Sequence, residues 1–259
     1  MPAVKSSTDD DALMKAYVGP FAVFLGFTLL LQFLEPALGW DHPSAAWWQR
    51  DLKQWVYPLQ AVSAGFLVWH WRKRVQWAWS WKWSLIGAVA GALGIACWLA
   101  PTLLADRLPV EEWFGRDSWQ ATALGLDART EGFDPGLVFE RGGAAWWMAY
   151  VMRFFRAVVV VAFVEELFWR GFLMRLMVNF DRPWTVPFGK HSWRAYWVTT
   201  LLFMSVHLPV DYLGAFVYGS LTYVLAVVSR SLGATVAMHA VANLLMGVAA
   251  LAWNKPGLW

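Results

Sequence analysis

The sequence predicts an all-α fold, a polytopic transmembrane bundle of about seven or eight helices, on three observations. The 259 residues are 59% hydrophobic and 15% charged, whereas soluble domains carry about 25% charged residues. The apolar residues fall in runs, several of which reach the roughly 20 residues that a membrane helix needs. Tryptophan is abundant, at 21 residues, and its amphipathic ring collects at membrane–water interfaces. The net charge of +3 is too small to point to nucleic acid, and the basic residues stand at the ends of apolar runs, facing lipid headgroups. Residues 1–259 read as a single integral membrane domain, without repeats or low-complexity segments.

The N-terminal residues are polar (Lys5, Asp9, Asp10, Asp11, Lys15), and the apolar run Tyr17 to Leu34 follows them. No small-residue cleavage site comes after that run, so it reads as a retained first helix, 17–34. The second span, 54–71, leads into Trp69-His70-Trp71-Arg72-Lys73-Arg74 and on through Trp77, Trp79, Trp81 and Trp83. Rings at the headgroup level beside basic residues make an interfacial anchor, to which His70 belongs. In the third span, 83–104, Gly87, Gly91 and Gly94 form a small-residue face for close helix packing. Cys97 lies in the same run; as the single cysteine it excludes an internal disulfide, and it reads as a small packing residue.

The long connection 105–145 is acidic and rich in Pro and Gly. Loops of this length are uncommon; this one is either a solvated connector or a cover and docking surface. The remaining spans are 146–174, 194–212, 213–229 and 231–252. Arg153 and Arg156 stand near the outer end of the fourth span and are expected to snorkel outward or pair with the acidic loop. With the N-terminus inside, the inner segments hold eleven Lys and Arg (Lys5, Lys15, Arg72, Lys73, Arg74, Lys82, Arg175, Arg182, Lys190, Arg194, Arg230) and the outer segments seven. The positive-inside rule then places the N-terminus in the cytoplasm.

Charges inside spans are expensive and default to a functional reading. The fourth span holds Glu165, Glu166 and Arg170, the fifth ends near His207, and the seventh carries His239 and Asn243. Residues four apart share a helical face, so Glu166 can pair with Arg170 and His239 with Asn243, while Glu165 is rotated about 100° away from Glu166. At about 1.5 Å of rise per residue, Glu165 lies about 15 Å from the inner end of its span, His207 about 20 Å, and His239 and Asn243 about 14 and 20 Å. Three helices thus bring polar groups to one level of a core about 30 Å thick.

These residue types suit attack of an activated water on a carbonyl. A carboxylate and a histidine can share a water, and a second histidine with an Asn amide can donate to an oxyanion. No Ser or Cys holds a nucleophile position: Ser205 faces away from His207, and Cys97 is on another span. Zinc held by Glu165, His207 and His239 is the alternative, although the His-Glu-x-x-His helix of soluble metalloproteases is absent. Two other classes compete. One is a proton-coupled transporter, which would favour internal repeats. The other is a catalytically silent binding or immunity protein on the same fold.

At these residues the chain resembles a known family. Glu-Glu-x-x-x-Arg, then Phe-x-x-x-His, then His-x-x-x-Asn, on successive late helices across about 160–247, resembles the CPBP group. This comprises CAAX prenyl endopeptidases of the second type and bacterial relatives linked to bacteriocin processing and self-immunity. Val18-Gly19-Pro20-Phe21 and Gly132-Phe133-Asp134-Pro135 resemble the bacterial subgroup that accompanies exosortase sorting. The resemblance implies a multi-pass protein of a bacterial cell membrane acting on a peptide or protein substrate, lipid-anchored or membrane-embedded, among membrane lipids. It implies that Glu165 activates water with help from His207, that Glu166 and Arg170 are a supporting pair, and that His239 and Asn243 steady the tetrahedral intermediate. The preferred reading needs no cofactor.

Overall fold

The computed structural model describes residues 7–105, 107–127, 129 and 132–258; Lys5 lies outside them. Among these residues there is helix and no strand. Seven principal helices follow the seven apolar runs: α1 Ser7–Leu38, α2 Lys53–Trp71, α3 Trp81–Ala105, α4 Ala144–Val178, α5 Trp193–Ser205, α6 Tyr212–Ser229 and α7 Leu232–Ala252. Five helical stretches are long and apolar enough to cross a bilayer: Asp9–Leu38, α3, α4, Pro209–Ser229 and α7. The protein is therefore a multi-pass membrane protein. Large apolar side chains such as Phe33, Val62, Leu93 and Trp81 stand exposed on the helices, as lipid-facing residues do.

The fifth run departs from expectation. A continuous span over 194–212 was predicted, but α5 is 13 residues long and stops at Ser205. A short 3-10 turn, Pro209–Asp211, follows, and then α6. Pro209 supplies no N–H to continue a helix and its ring fixes φ, so the chain turns there. Helix α4 departs in another way. It alternates α and π geometry, with π-helical stretches at Phe155–Val161 and Leu167–Leu173 on either side of the α-helical Ala162–Glu166. A count at 3.6 residues per turn cannot foresee this. π segments inside α-helices concentrate at functional sites.

The chain divides into two compact units, 1–76 with 133–168, and 77–132 with 169–259. In the first, α1 packs on α2, and both pack on the first part of α4. Ala61 and Ala64 of α2 bury Val160 and Val164 of α4, with Phe21 and Phe24 of α1 against them. A second cluster joins Leu31 to Leu52 and Val56. Arg153 and Arg156 do not reach outward. The Arg156 guanidinium lies 4.1 Å from the Tyr57 ring and 4.9 Å from Phe24, and its Nε donates to Gln60 Oε1 at 2.7 Å. Arg153 lies over Tyr57 and Phe133. Aromatic faces and an amide inside the unit replace the water that snorkelling would seek.

In the second unit α7 packs along α3, and α6 along both α3 and α5. The glycine face of α3 does what its spacing predicts. A Cβ on Gly87 would lie 2.4 Å from the Ala234 carbonyl oxygen, and one on Gly91 2.3 Å from that of Met238. Only glycine allows this approach, and it fixes α7 beside the residue that precedes His239. Cys97, expected to fill space, is exposed instead. The tryptophan belt divides in its roles. Trp81 is 82% exposed, and Arg72 lies over Trp69 at 4.6 Å, as an interfacial anchor requires. The Trp77 carbonyl, however, accepts from Gly233 N, and the Ala78 carbonyl accepts from Ser231 Oγ. That stretch therefore ties down the start of α7. Of the basic residues assigned to the inner face, Arg175 is 4% exposed, and Arg194 donates to the carbonyls of Met177 and Val178 at the end of α4.

Candidate active site

Glu165 and Glu166 stand in the α-helical stretch of α4, in the first unit. Glu166 is fully buried. Glu165 is half-buried, and its Oε2 is shut off from solvent without a hydrogen bond among the described residues. It lies close enough to Arg156 to act on it electrostatically. A carboxylate oxygen that is dry and not committed to a donor is what a general base needs before it meets a water.

The second unit gathers Arg170, His207, His239 and Asn243. Arg170 is fully buried, with its guanidinium 4.9 Å from the Phe203 ring. Phe203 stands at the base of His207, one turn earlier, and the two rings are 4.7 Å apart. His207 lies two residues beyond the end of α5, so a depth counted along an unbroken helix does not apply to it. Its Nδ1 and the Phe203 carbonyl oxygen are 2.7 Å apart. A carbonyl can only accept, so Nδ1 carries a proton, and in the neutral imidazole Nε2 keeps its lone pair. The imidazole thereby satisfies one of the orphan carbonyls at the helix end. Ser205 Oγ donates to the Leu202 carbonyl, so Ser205 and His207 form no nucleophile pair.

His239 is 6% exposed on α7 and meets the edge of Tyr218 at 5.9 Å. Tyr218 in turn meets Trp98 at 5.9 Å, and Trp98 meets His207 at 5.3 Å. The two histidines of the motif set are therefore joined by a run of edge-on aromatic contacts. Asn243 is half-buried one turn after His239 on α7. Glu166, Arg170, His239 and Asn243 all engage partners.

Residues 146–245 match the family model described as Type II CAAX prenyl endopeptidase Rce1-like. That stretch is similar to the Rce1-like family. All three motifs, from Glu165 to Asn243, fall inside the match. No curated protein and no solved structure matches the chain. The segments Val18–Phe21 and Gly132–Pro135, which carried the finer resemblance to a subgroup, lie outside the Rce1-like region.

A metal here would need converging donors. His207 could offer only Nε2, because Nδ1 is engaged. Among the described residues no group of three or more His, Cys, Asp or Glu side chains is placed to hold an ion.

Sequence reasoning missed three residues beside His207. Asp211 Oδ1 accepts from Trp98 Nε1 at 2.7 Å and from Arg129 Nη1 at 2.6 Å. Arg129 comes from the long acidic connection, which is therefore more than a solvated link. It also lines a cavity of about 410 Å³ with Thr102, Asp127 and Gly257. An Asp so soon after the motif histidine, behind a proline, was the available signal; its partners lie 82 and 113 residues away.

Proposed function

We propose that the protein is an intramembrane endopeptidase that hydrolyses a peptide bond with a water activated by Glu165 and His207. The similarity of residues 146–245 to the Rce1-like family supports endopeptidase activity. The observation that carries the assignment of roles is the state of two atoms: a dry, uncommitted carboxylate oxygen on Glu165 and a lone pair left on His207 Nε2 by the Nδ1 hydrogen bond. Both can take up a proton, and neither is spent on structure.

The water loses a proton to Glu165 while its oxygen bonds to the scissile carbonyl carbon. The carbonyl oxygen becomes an oxyanion, to which His239 and Asn243 donate. Collapse breaks the C–N bond, and the stored proton passes to the leaving nitrogen. Glu166 and Arg170, both buried, serve as the supporting pair. The reaction runs without a metal, so chelators leave the rate unchanged; a stoichiometric zinc whose removal stops turnover would overturn that part. The substrate is a peptide or protein at the membrane, and the family name directs the first assay to lipid-anchored peptides. The cytoplasmic N-terminus is proposed on the charge count alone.

Glu165→Gln tests the reading. Gln is nearly isosteric but takes no proton, and loss of a general base typically lowers the rate about 10²–10⁴-fold. The variant should melt like the wild type and cleave no tagged peptide measurably. Near-normal turnover would remove Glu165 from the chemistry.

A further inference from the structure

We infer that Asp211, held by Arg129 and by the indole of Trp98, is the positioning group for His207. The inference rests on the proposed role of His207. Its evidence is independent of that role, because every residue concerned lies in the second unit.

The imidazole is held on two sides. Phe203 supplies one ring and a carbonyl acceptor for Nδ1, and Trp98 supplies the other wall, edge-on at 5.3 Å and 67°. What places Trp98 therefore places His207. The indole is 7% exposed and lies against Gly214, where an added Cβ would come 2.5 Å from Trp98 Cγ. Its single polar atom, Nε1, donates to Asp211 Oδ1. The same oxygen receives Arg129 Nη1, and Arg129 Nε lies 3.3 Å from Thr102 Oγ1, one turn along α3 from Trp98. The side chains of Arg129 and Asp211 are 8% and 13% exposed.

Asp211 also controls His207 along the chain. Only Leu208, Pro209 and Val210 separate them, and Asp211 N donates to the Leu208 carbonyl at 2.8 Å, closing the turn. Asp211 thus closes, through its backbone N–H, the turn that carries His207, and its carboxylate holds the ring that walls it. Stability alone does not account for the arrangement, since apolar residues of similar volume usually serve a buried site as well as an ion pair does. A charged clamp does add direction. It admits one rotation of the indole and one position of the turn, and so favours the imidazole tautomer with the proton on Nδ1.

Two conservative variants of the full-length protein test this. Trp98→Phe keeps an aromatic wall and removes the donor. Asp211→Asn keeps the shape and an acceptor but loses the charge facing Arg129. Nitrogen-15 histidine spectra report the His207 tautomer, assigned by the resonance lost in His207→Gln. Wild-type His207 should show a protonated Nδ1 and a bare Nε2, and in both variants its signal should spread over both tautomers. Misplacement by about 1 Å can cost about 10²-fold, so kcat should fall by about 10- to 100-fold with KM little changed; Trp98→Phe should melt close to the wild type and Asp211→Asn lower, because Arg129 loses its counter-charge. If either variant fails to fold, Arg129→Lys, which keeps the charge, replaces it and should give a smaller change of the same kind. Folded variants with the wild-type tautomer and wild-type kcat would overturn the inference. Full activity in Glu165→Gln would instead remove Glu165 from the chemistry, and the spectra would still decide whether Asp211 positions His207.

Discussion

Two buried polar clusters, one in each unit, are built from similar parts and end differently. In the first unit Gln60 is completely buried; its Nε2 donates to the Phe24 carbonyl at 2.7 Å and to Thr28 Oγ1 at 2.9 Å, and its Oε1 accepts from Arg156 Nε. Every donor and acceptor of that amide is used. In the second unit Arg129, Asp211 and Trp98 also satisfy one another, but the arrangement leads to an imidazole with one nitrogen left over. Both clusters carry an arginine and a helix carbonyl, so composition does not tell them apart. The difference lies in closure. A closed network joins helices where no water is present to help, while an open one leaves an atom uncommitted and ready to react.

Breaking the open cluster at its centre should have the largest effect. Asp211→Ala leaves Arg129 buried without its partner, and removal of one member of a buried pair typically costs 3–5 kcal/mol, so roughly that loss is expected. Thermal melting in detergent should show it, with activity lost in the same samples. A melt like that of the wild type would mean that the pair is solvated and the cluster is not closed off as described. Gly91→Ala strikes the same unit through packing. The new Cβ would press on the backbone oxygen of Met238, and overpacking of this kind costs about 1–3 kcal/mol. Because Met238 precedes His239, turnover should fall in the folded fraction as well. A stability loss without a change in turnover would separate the α3–α7 contact from the site.

Gln60→Ala breaks the closed cluster instead. It deprives buried Arg156 of its acceptor, a loss of about 1–3 kcal/mol for an unsatisfied buried polar group. The melting temperature should fall, while turnover per folded molecule changes far less than in Asp211→Asn. If the two variants proved equally harmful to turnover, closure would not be what distinguishes the clusters.

The same contrast explains what the sequence made legible. The helices were visible because apolar runs of this length have few alternatives, and the packing of Gly87 and Gly91 was visible because small residues at that spacing lie on one face. The motif residues stand out because charge in an apolar run is conspicuous. Both clusters escaped, since Gln60 and Arg156 are 96 residues apart and Arg129 and Asp211 82 apart. Only tertiary structure names such partners. The sequence leaves Arg156 to snorkel or to pair with the acidic loop, because its aromatic neighbours come from other helices. His207 was placed on a helix because hydropathy continues through Leu208 and Val210, although the proline between them turns the chain.

The smallest expected effects come from exchanging one cation for another in each cluster. Arg156→Lys keeps the positive charge near Glu165 but loses the planar group stacked on Tyr57 at 4.1 Å and the Nε bond to Gln60. Lysine cannot reproduce a stacked, forked contact, and a buried cation–π contact is worth about 0.5–2 kcal/mol. The melting temperature should therefore drop slightly, with turnover unchanged. Arg129→Lys keeps the charge opposite Asp211 and loses the Nε contact with Thr102. Its melting temperature should drop by a similar small amount, but its kcat should fall too, because the turn that carries His207 gains freedom. Measured side by side, the pair separates a cation that braces helices from one that aims a side chain. If both variants lowered kcat alike, or neither did, the two clusters would share one role and the contrast drawn from their closure would fail.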